Sequence, residues 1–90
     1  MKTIEIEQRI VSLQRGNIVV GDYHVDVETD EIVVQNASVI RRWGTTKGLG
    51  ELRNGPLPDT ILDYAGEVRA PRGSVVFTIK VNPGAEWPTG

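Results

Sequence analysis

The sequence predicts an all-β fold, a small barrel or sandwich of five to seven short antiparallel strands. Short segments rich in β-branched residues recur between turns that contain glycine, proline or asparagine, and no segment has the apolar period of an amphipathic helix. A chain of 90 residues is long enough for one domain with a small core. We therefore expect a single β domain over residues 1–84. Residues 85–90 are expected to form a flexible tail, because Trp87 is their only large apolar side chain.

The expected strand segments follow one another along the chain. They cover residues 3–13, 18–27, 32–34, 37–43, 61–69 and 74–81. The alternation of the first segment changes phase at Ile10, which predicts a bulge, and Gly66 predicts a bend in the fifth segment. In the last segment the odd-numbered side chains, Phe77 among them, are expected to face the core. At most one short helical turn is expected, over residues 50–54 and closed by Gly55.

The composition argues against several kinds of site and partner. There is no cysteine and His24 is the only imidazole, so we expect no disulfide, no metal site and no cofactor. The formal charge of −2 argues against broad nucleic-acid binding. No apolar run reaches the length of a signal peptide or a membrane span. These features predict a soluble protein of the host-cell cytoplasm, without a membrane partner.

Charge is segregated along the chain. Residues 22–31 hold five acidic residues and no lysine or arginine, whereas residues 41–56 hold four cationic residues and Glu51 as the one acidic residue. Two patches of opposite sign on a small chain predict contacts between copies, and hence a homo-oligomer. The alternative is that the two patches face each other within one copy.

The glycine-rich segment, residues 41–56, is the candidate site. Its four glycines allow positive φ and close backbone approach, so it is either a structural corner or a cradle for an anion. It lacks the spacing of a phosphate-binding loop, and no helix of useful length follows it. Trp43 either stacks on a ligand or belongs to the core; one of the two arginines is expected to be solvated and the other to pair with an acid such as Glu51. The predicted contacts to a ligand or partner are Arg41, Trp43, Thr45, Thr46, Lys47 and Gly48.

Catalysis has little support from the residues. A serine–histidine pair would have to use His24, which lies in an ordinary strand pattern, with Ser12, Ser38 or Ser74. Asp59 and Asp63 are spaced for a helix face but lie in or beside a strand segment. We therefore predict no catalytic residue and no enzymatic activity.

One stretch of the chain carries a resemblance. The run from Val39 to Leu52, Val-Ile-Arg-Arg-Trp-Gly-Thr-Thr-Lys-Gly-Leu-Gly-Glu-Leu, is followed by Gly55-Pro56, Thr60-Ile61-Leu62-Asp63 and Gly66-Glu67-Val68. This pattern resembles a family of small tailed-bacteriophage proteins of unknown function, and the resemblance extends from about residue 37 to residue 81. It implies phage or prophage origin. It implies no activity and no catalytic residues, and residues 1–36 lie outside it.

Two functions follow as expectations. In the first, the chain is a phage accessory protein that acts by binding, for example in counter-defence, and occupies a host protein or sequesters an anionic, nucleotide-like ligand. In the second, it is a structural or morphogenetic phage component whose glycine-rich segment is a subunit contact. A gene position beside head and tail genes would favour the second function, and a position in an early accessory cluster would favour the first.

Overall fold

A computed structural model describes residues 6–87, which form one antiparallel sheet of five strands. The strands are β1 (Glu7–Leu13), β2 (Ile18–Asp26), β3 (Glu31–Arg42), β4 (Ile61–Pro71) and β5 (Val75–Lys80). The all-β prediction is confirmed. A 3-10 helix, Leu49–Asn54, covers the predicted helical turn, and Gly55 closes it by donating its N–H to the carbonyl of Leu52. Two further 3-10 turns, Gln14–Gly16 and Arg72–Ser74, connect strands. The strand expected at residues 3–5 lies outside the described residues.

The sheet coils into a small, partly open barrel. Its strand order is β4-β3-β2-β1-β5, so β4 and β5 lie at opposite edges, four strand spacings or roughly 19 Å apart if the sheet were flat. Only the three residues Arg72–Ser74 join them, and a connection this short spans at most about 14 Å. The sheet must therefore curl until the end of β4 meets the start of β5.

Bulges change which side chains face inward. The sequence predicted two strands separated by residues 35 and 36, but β3 is continuous there. Asn36 adopts φ 52°, and the pairing of β3 with β2 and β4 shifts register at this point. The predicted bend at Gly66 is confirmed by φ 80° and by a register shift beside its partner Ala37. The shift inverts the faces of β4. Leu62 and Val68 are an even number of residues apart and would share a face in a regular strand, but they pack on opposite faces.

Two apolar layers lie on the two faces of the sheet, because neighbouring residues of a strand point in opposite directions. The inner layer is the barrel interior, formed by Val11, Val19, Ile32, Val34 and Ala37. The outer layer is formed by Ile10, Ile18, Val20, Ile40, Leu49, Leu52, Val81 and Trp87. No strand covers this outer layer among the residues described. The 3-10 helix and Trp87 cover it instead.

The two tryptophans differ in burial. Trp87 is 7% exposed and packs in the outer layer, which corrects the tail predicted from residue 85; residues 88–90 lie outside the described part of the chain. A turn in which Ala85 donates to the carbonyl of Asn82 directs residues 85–87 back across the sheet. Trp43 is 40% exposed, so the core, one of the two places expected for it, is wrong. It follows the last residue of β3 and lies beyond the sheet.

Phe77 is a second correction. The alternation of residues 74–81 placed it in the core, but its side chain is 47% exposed. The pairing of β5 with β1 shifts at this point, because Ser12 pairs with Phe77 whereas Leu13 pairs with Val75. Val76 is therefore an extra residue in the strand, and the bulge rotates Phe77 onto the rim of the outer face at the edge of the sheet.

The acidic patch is partly neutralised by two arginines that are far away in sequence. Arg69 of β4 forms ion pairs with Asp26 at 3.3 Å, Glu31 at 3.5 Å and Glu67 at 2.9 Å, and Arg72 pairs with Asp30 at 3.0 Å. The basic segment lies elsewhere, since the 12 residues of β3 separate Glu31 from Arg42 by roughly 35 Å. The alternative that the two patches face each other within one copy is therefore wrong.

Arg69 makes stability depend on pH. Its hydrogen bonds are the main reason why the pKa values of Asp26 and Glu67 lie below their ordinary values. A carboxyl with a lowered pKa stabilises the fold above its unfolded-state pKa, near 4, and that stabilisation is lost as the pH falls through the folded-state pKa. We expect Arg69→Gln to lower the urea midpoint at pH 7, by a small amount because these groups are exposed. The midpoint at pH 2 should be unchanged, because the stabilisation by the two carboxylates is already lost at low pH.

The matched control for this change is Arg53→Gln. It removes the same charge from a side chain whose hydrogen bond goes to the backbone carbonyl of Gly50 rather than to a carboxylate. Its effect on the urea midpoint should not vary between the two pH values. An Arg69→Gln effect of equal size at both pH values would contradict the assignment to Asp26 and Glu67.

Candidate functional site

The candidate site lies in the connection between β3 and β4, residues 43–60, which we call the corner. Its two ends are pressed together at Gly44, where φ is +63° and a Cβ atom would lie 2.5 Å from the carbonyl carbon of Asp59. Thr60 closes this contact, because its hydroxyl donates to the carbonyl of Trp43 at 2.7 Å and accepts from the N–H of Leu57 at 2.9 Å. The backbone that carries Trp43 is therefore fixed at both ends of the corner.

The predicted anion cradle contains a carboxylate from the chain itself. Thr46 donates its backbone N–H to Oε1 of Glu51 at 3.1 Å and its hydroxyl to Oε2 at 3.3 Å. Gly48, with φ +94°, begins the 3-10 helix and accepts the N–H of Glu51 at 3.1 Å. Two donors expected to hold an external anion are thus satisfied within the chain. A small anion would have to displace Glu51 to reach them.

The arginines of the site diverge. Arg41 pairs with Asp63 of β4 at 2.8 Å and not with Glu51, the partner that the sequence suggested. Arg42 is exposed and forms no ion pair within residues 6–87. Arg41 is therefore committed to holding β3 and β4 together. Arg42, beside the exposed Trp43, remains available to a partner.

The other predicted contacts lie further along the corner. Thr45 is half-buried, whereas Lys47 is exposed. Lys47 lines a shallow depression of about 350 Å³ together with Gly50, Glu51, Arg53 and Asn54. The sequence did not include Arg53 in the site, although its position three residues after Gly50 on a short helix is the signal that places the two together. The corner and the last residue of β3 thus present one aromatic and three cationic side chains to solvent: Arg42, Trp43, Lys47 and Arg53.

Glu51 is the residue of the corner whose partner the sequence predicted wrongly. Its spacing carried a usable signal, because a glutamate three residues after the start of a helix often turns back to bind backbone N–H groups before it. Here Gly48 begins the helix and the carboxylate reaches Thr46. Thr60 has no comparable local signal, since its partner Trp43 lies 17 residues away in the chain.

The residues considered for catalysis do not assemble. His24 pairs with Val33 across β2 and β3, five residues along β3 from Ser38, or roughly 16 Å. Ser74 donates its hydroxyl to the carbonyl of Pro71, and Asp63 is held by Arg41. Within residues 6–87 no three histidine, aspartate or glutamate side chains form a group able to hold a metal ion. None of the helices described is both long and apolar enough to span a membrane.

Comparisons with known proteins add nothing to this geometry. No protein-family profile, no curated protein and no solved structure matches the chain. The resemblance to small phage proteins stays a prediction from the sequence motif. Gly44, Gly48 and Gly55 of this motif all have positive φ, and the Glu51 carboxylate accepts the N–H of Thr46 between the first two.

Proposed function

We propose that this chain is a small phage-type accessory protein, without enzymatic activity, that binds a host protein through the corner. The observation that carries the proposal is the exposure of Trp43 beside Arg42, on a backbone that Gly44 and Thr60 hold in place. Tryptophan and arginine are the residues most enriched at the energetic centres of protein interfaces. A rigid surface also loses little conformational freedom when a partner binds.

The charges near Trp43 favour a protein partner with an acidic surface. Arg42, Lys47 and Arg53 are exposed in or beside the corner, whereas the Glu51 carboxylate is bound to Thr46. The surface therefore complements an acidic patch with an apolar pocket large enough for an indole ring. The same contact from Glu51 weighs against a small anionic ligand, because that ligand would compete with a carboxylate already in the chain. The motif supports phage origin, and a host partner of this kind would be met in the host cytoplasm.

The runner-up is a structural phage component in which copies of the chain contact one another. Two observations favour self-association. The acidic patch and the corner lie at opposite ends of β3, so they cannot neutralise each other within one copy. Val76 and Phe77 also expose apolar surface on an edge strand. We include a homo-oligomer in the proposal for these reasons.

The test is affinity capture of host proteins with the full chain and two variants. Trp43→Ala should keep the melting temperature within a few degrees, because the side chain is exposed, and should weaken capture of the partner at least about 30-fold, as expected for an interface centre. Tyr64→Ala is the matched control, since Tyr64 is also an exposed aromatic residue, on β4 and outside the corner. It should capture the same partner as the wild type.

The contrary outcomes are distinct. Equal capture by the wild type and Trp43→Ala would remove the corner as the binding surface. A thermal-shift screen of the wild type and Lys47→Ala against nucleotides, cyclic dinucleotides and phosphate compounds tests the small-ligand alternative. A shift that occurs in the wild type and is lost in Lys47→Ala would favour that alternative over a protein partner.

A further inference from the structure

The two edges of the sheet differ in how well they can accept another strand. Along β4 the edge is interrupted by the bulge at Gly66, which inverts the strand's faces, and it carries the ion-paired residues Asp63, Glu67 and Arg69. Bulges and charges of this kind prevent edge strands from pairing with other chains. β5 has less protection: one bulge, at Val76, and one charged side chain, Lys80, at its last position. It exposes Val76 and Phe77 side by side, at 61% and 47%.

The free backbone groups of β5 follow from its pairing with β1. Val81 donates its N–H to the carbonyl of Gln8 at 3.2 Å, which fixes the alternation of the strand. Phe77 and Ile79, at the same phase as Val81, direct their N–H and C=O groups toward β1. Thr78 and Lys80 direct theirs outward, away from β1, the one strand that pairs with β5 in the described sheet.

We infer that β5 pairs with β5 of a second copy, antiparallel and in a register centred on Thr78. In this register Phe77 lies opposite Ile79 in both directions, on the outer face that both side chains already share. Pairs of an aromatic and a β-branched residue are among the favourable cross-strand pairs, as is the threonine pair that Thr78 forms with itself. Lys80 lies opposite Val76, so no like charges meet.

The charges at the two ends of β5 favour a second copy over an unrelated strand. At its start, the backbone N–H of Arg72 donates to the carbonyl of Asp30, which brings the acidic turn beside β5 with four carboxylates, Asp26, Glu28, Asp30 and Glu31, against Arg69 and Arg72. At its end, Lys80 and Arg9 share Glu7, at 3.9 and 2.7 Å, and Asn82, two residues after Lys80, donates its N–H to the carbonyl of Arg53, which adds a third cation. One end is therefore acidic and the other basic. Antiparallel pairing places the basic end of each copy beside the acidic end of the other.

This inference deepens the self-association included in the proposed function and rests on it. β5 has six residues, so the paired edges bury less area than a permanent dimer needs. We therefore expect a dimer that forms with rising protein concentration and weakens with rising salt.

The experiment is sedimentation velocity of the full chain over a wide range of concentrations, with two variants of one residue. Val76→Lys places a lysine opposite Lys80 of the second copy, twice in the dimer, and should weaken dimerisation about tenfold. Val76→Glu places an opposite charge there and should preserve or strengthen the dimer. Tyr64→Lys is the matched control, because Tyr64 is also exposed, at 53%, but lies on β4, at the opposite edge of the sheet. Melting temperatures close to that of the wild type show that each variant is folded.

The other outcomes distinguish the β5 contact from self-association through another surface. If Val76→Lys and Val76→Glu dimerise as the wild type does, the β5 contact is overturned while self-association through another surface stands. A wild type that stays monomeric at every concentration overturns both the β5 contact and the proposed homo-oligomer. It leaves binding of a host protein at Trp43 untouched.

Discussion

Trp87→Ala is expected to lower the free energy of unfolding by about 3–5 kcal/mol. Trp87 is 7% exposed in the outer apolar layer, which the sheet itself does not cover, so its removal opens a cavity and lets water reach Leu52 and Val81. A domain of this size has a total stability of roughly 5–10 kcal/mol. Urea unfolding followed by circular dichroism should show the loss directly, and the melting temperature should fall by more than about 12 °C.

Trp87→Phe is the control that separates packing from the indole N–H. Nε1 of Trp87 is buried and has no hydrogen-bond partner within residues 6–87. Phenylalanine keeps most of the ring and removes a donor whose burial is itself unfavourable, so the loss should be about 1 kcal/mol or less. Deletion of residues 85–90 should resemble Trp87→Ala. Wild-type stability of the deletion variant would show that this segment does not dock as described.

Gly44→Ala should destabilise the corner by about 3 kcal/mol or more. A residue with a Cβ atom at φ +63° costs about 1–2 kcal/mol, and that atom would lie 2.5 Å from the backbone of Asp59, which must move away. The move would also strain the hydrogen bond from Thr60 to the carbonyl of Trp43. Chemical denaturation measures the loss. Because the corner carries the proposed binding surface, capture of a host partner should weaken as well.

Substitutions at Gly48 and Gly50 are the controls for Gly44→Ala. Gly48, at φ +94°, has open space within 4 Å of the point where a Cβ atom would lie, so its substitution by alanine or valine adds conformational strain of about 1–3 kcal/mol without a clash. Gly50 lies in the 3-10 helix with space around it, and Gly50→Ala should be neutral or stabilise by about 0.4–1 kcal/mol. Equal stability losses at Gly44 and Gly50 would contradict the close contact with Asp59.

Local signals in the sequence were sufficient for the fold class, the approximate strand positions and the helical turn closed by Gly55. These features depend on residue types within a few positions of one another. The errors arose where a distant contact decides the outcome. Phe77 turns outward because of a bulge against β1, and Trp87 is buried because the chain folds back beside Arg53.

The candidate site was likewise predictable only where neighbouring residues decide the geometry. Positive φ at Gly48 and the turn around it follow from local composition. The partner of Arg41 does not, because Asp63 lies 22 residues away on β4 and the pairing depends on the register of two strands with bulges. Arg69 likewise reaches Asp26 across 43 residues, so counting charges in sequence windows left the acidic patch without its counter-ions.

The position of β5 at the far edge beside β1 has a consequence for how the chain is made. Arg9 donates a hydrogen bond to Thr78, 69 residues later, so the first described strand gains its second neighbour only after those residues have been made. During synthesis β1 must stay unpaired on one side until β5 has left the ribosome. Topologies dominated by such distant pairings fold in milliseconds to seconds rather than microseconds. A prematurely terminated chain lacking β5 and Trp87 would leave β1 unpaired on that side and expose both apolar layers to chaperones and proteases.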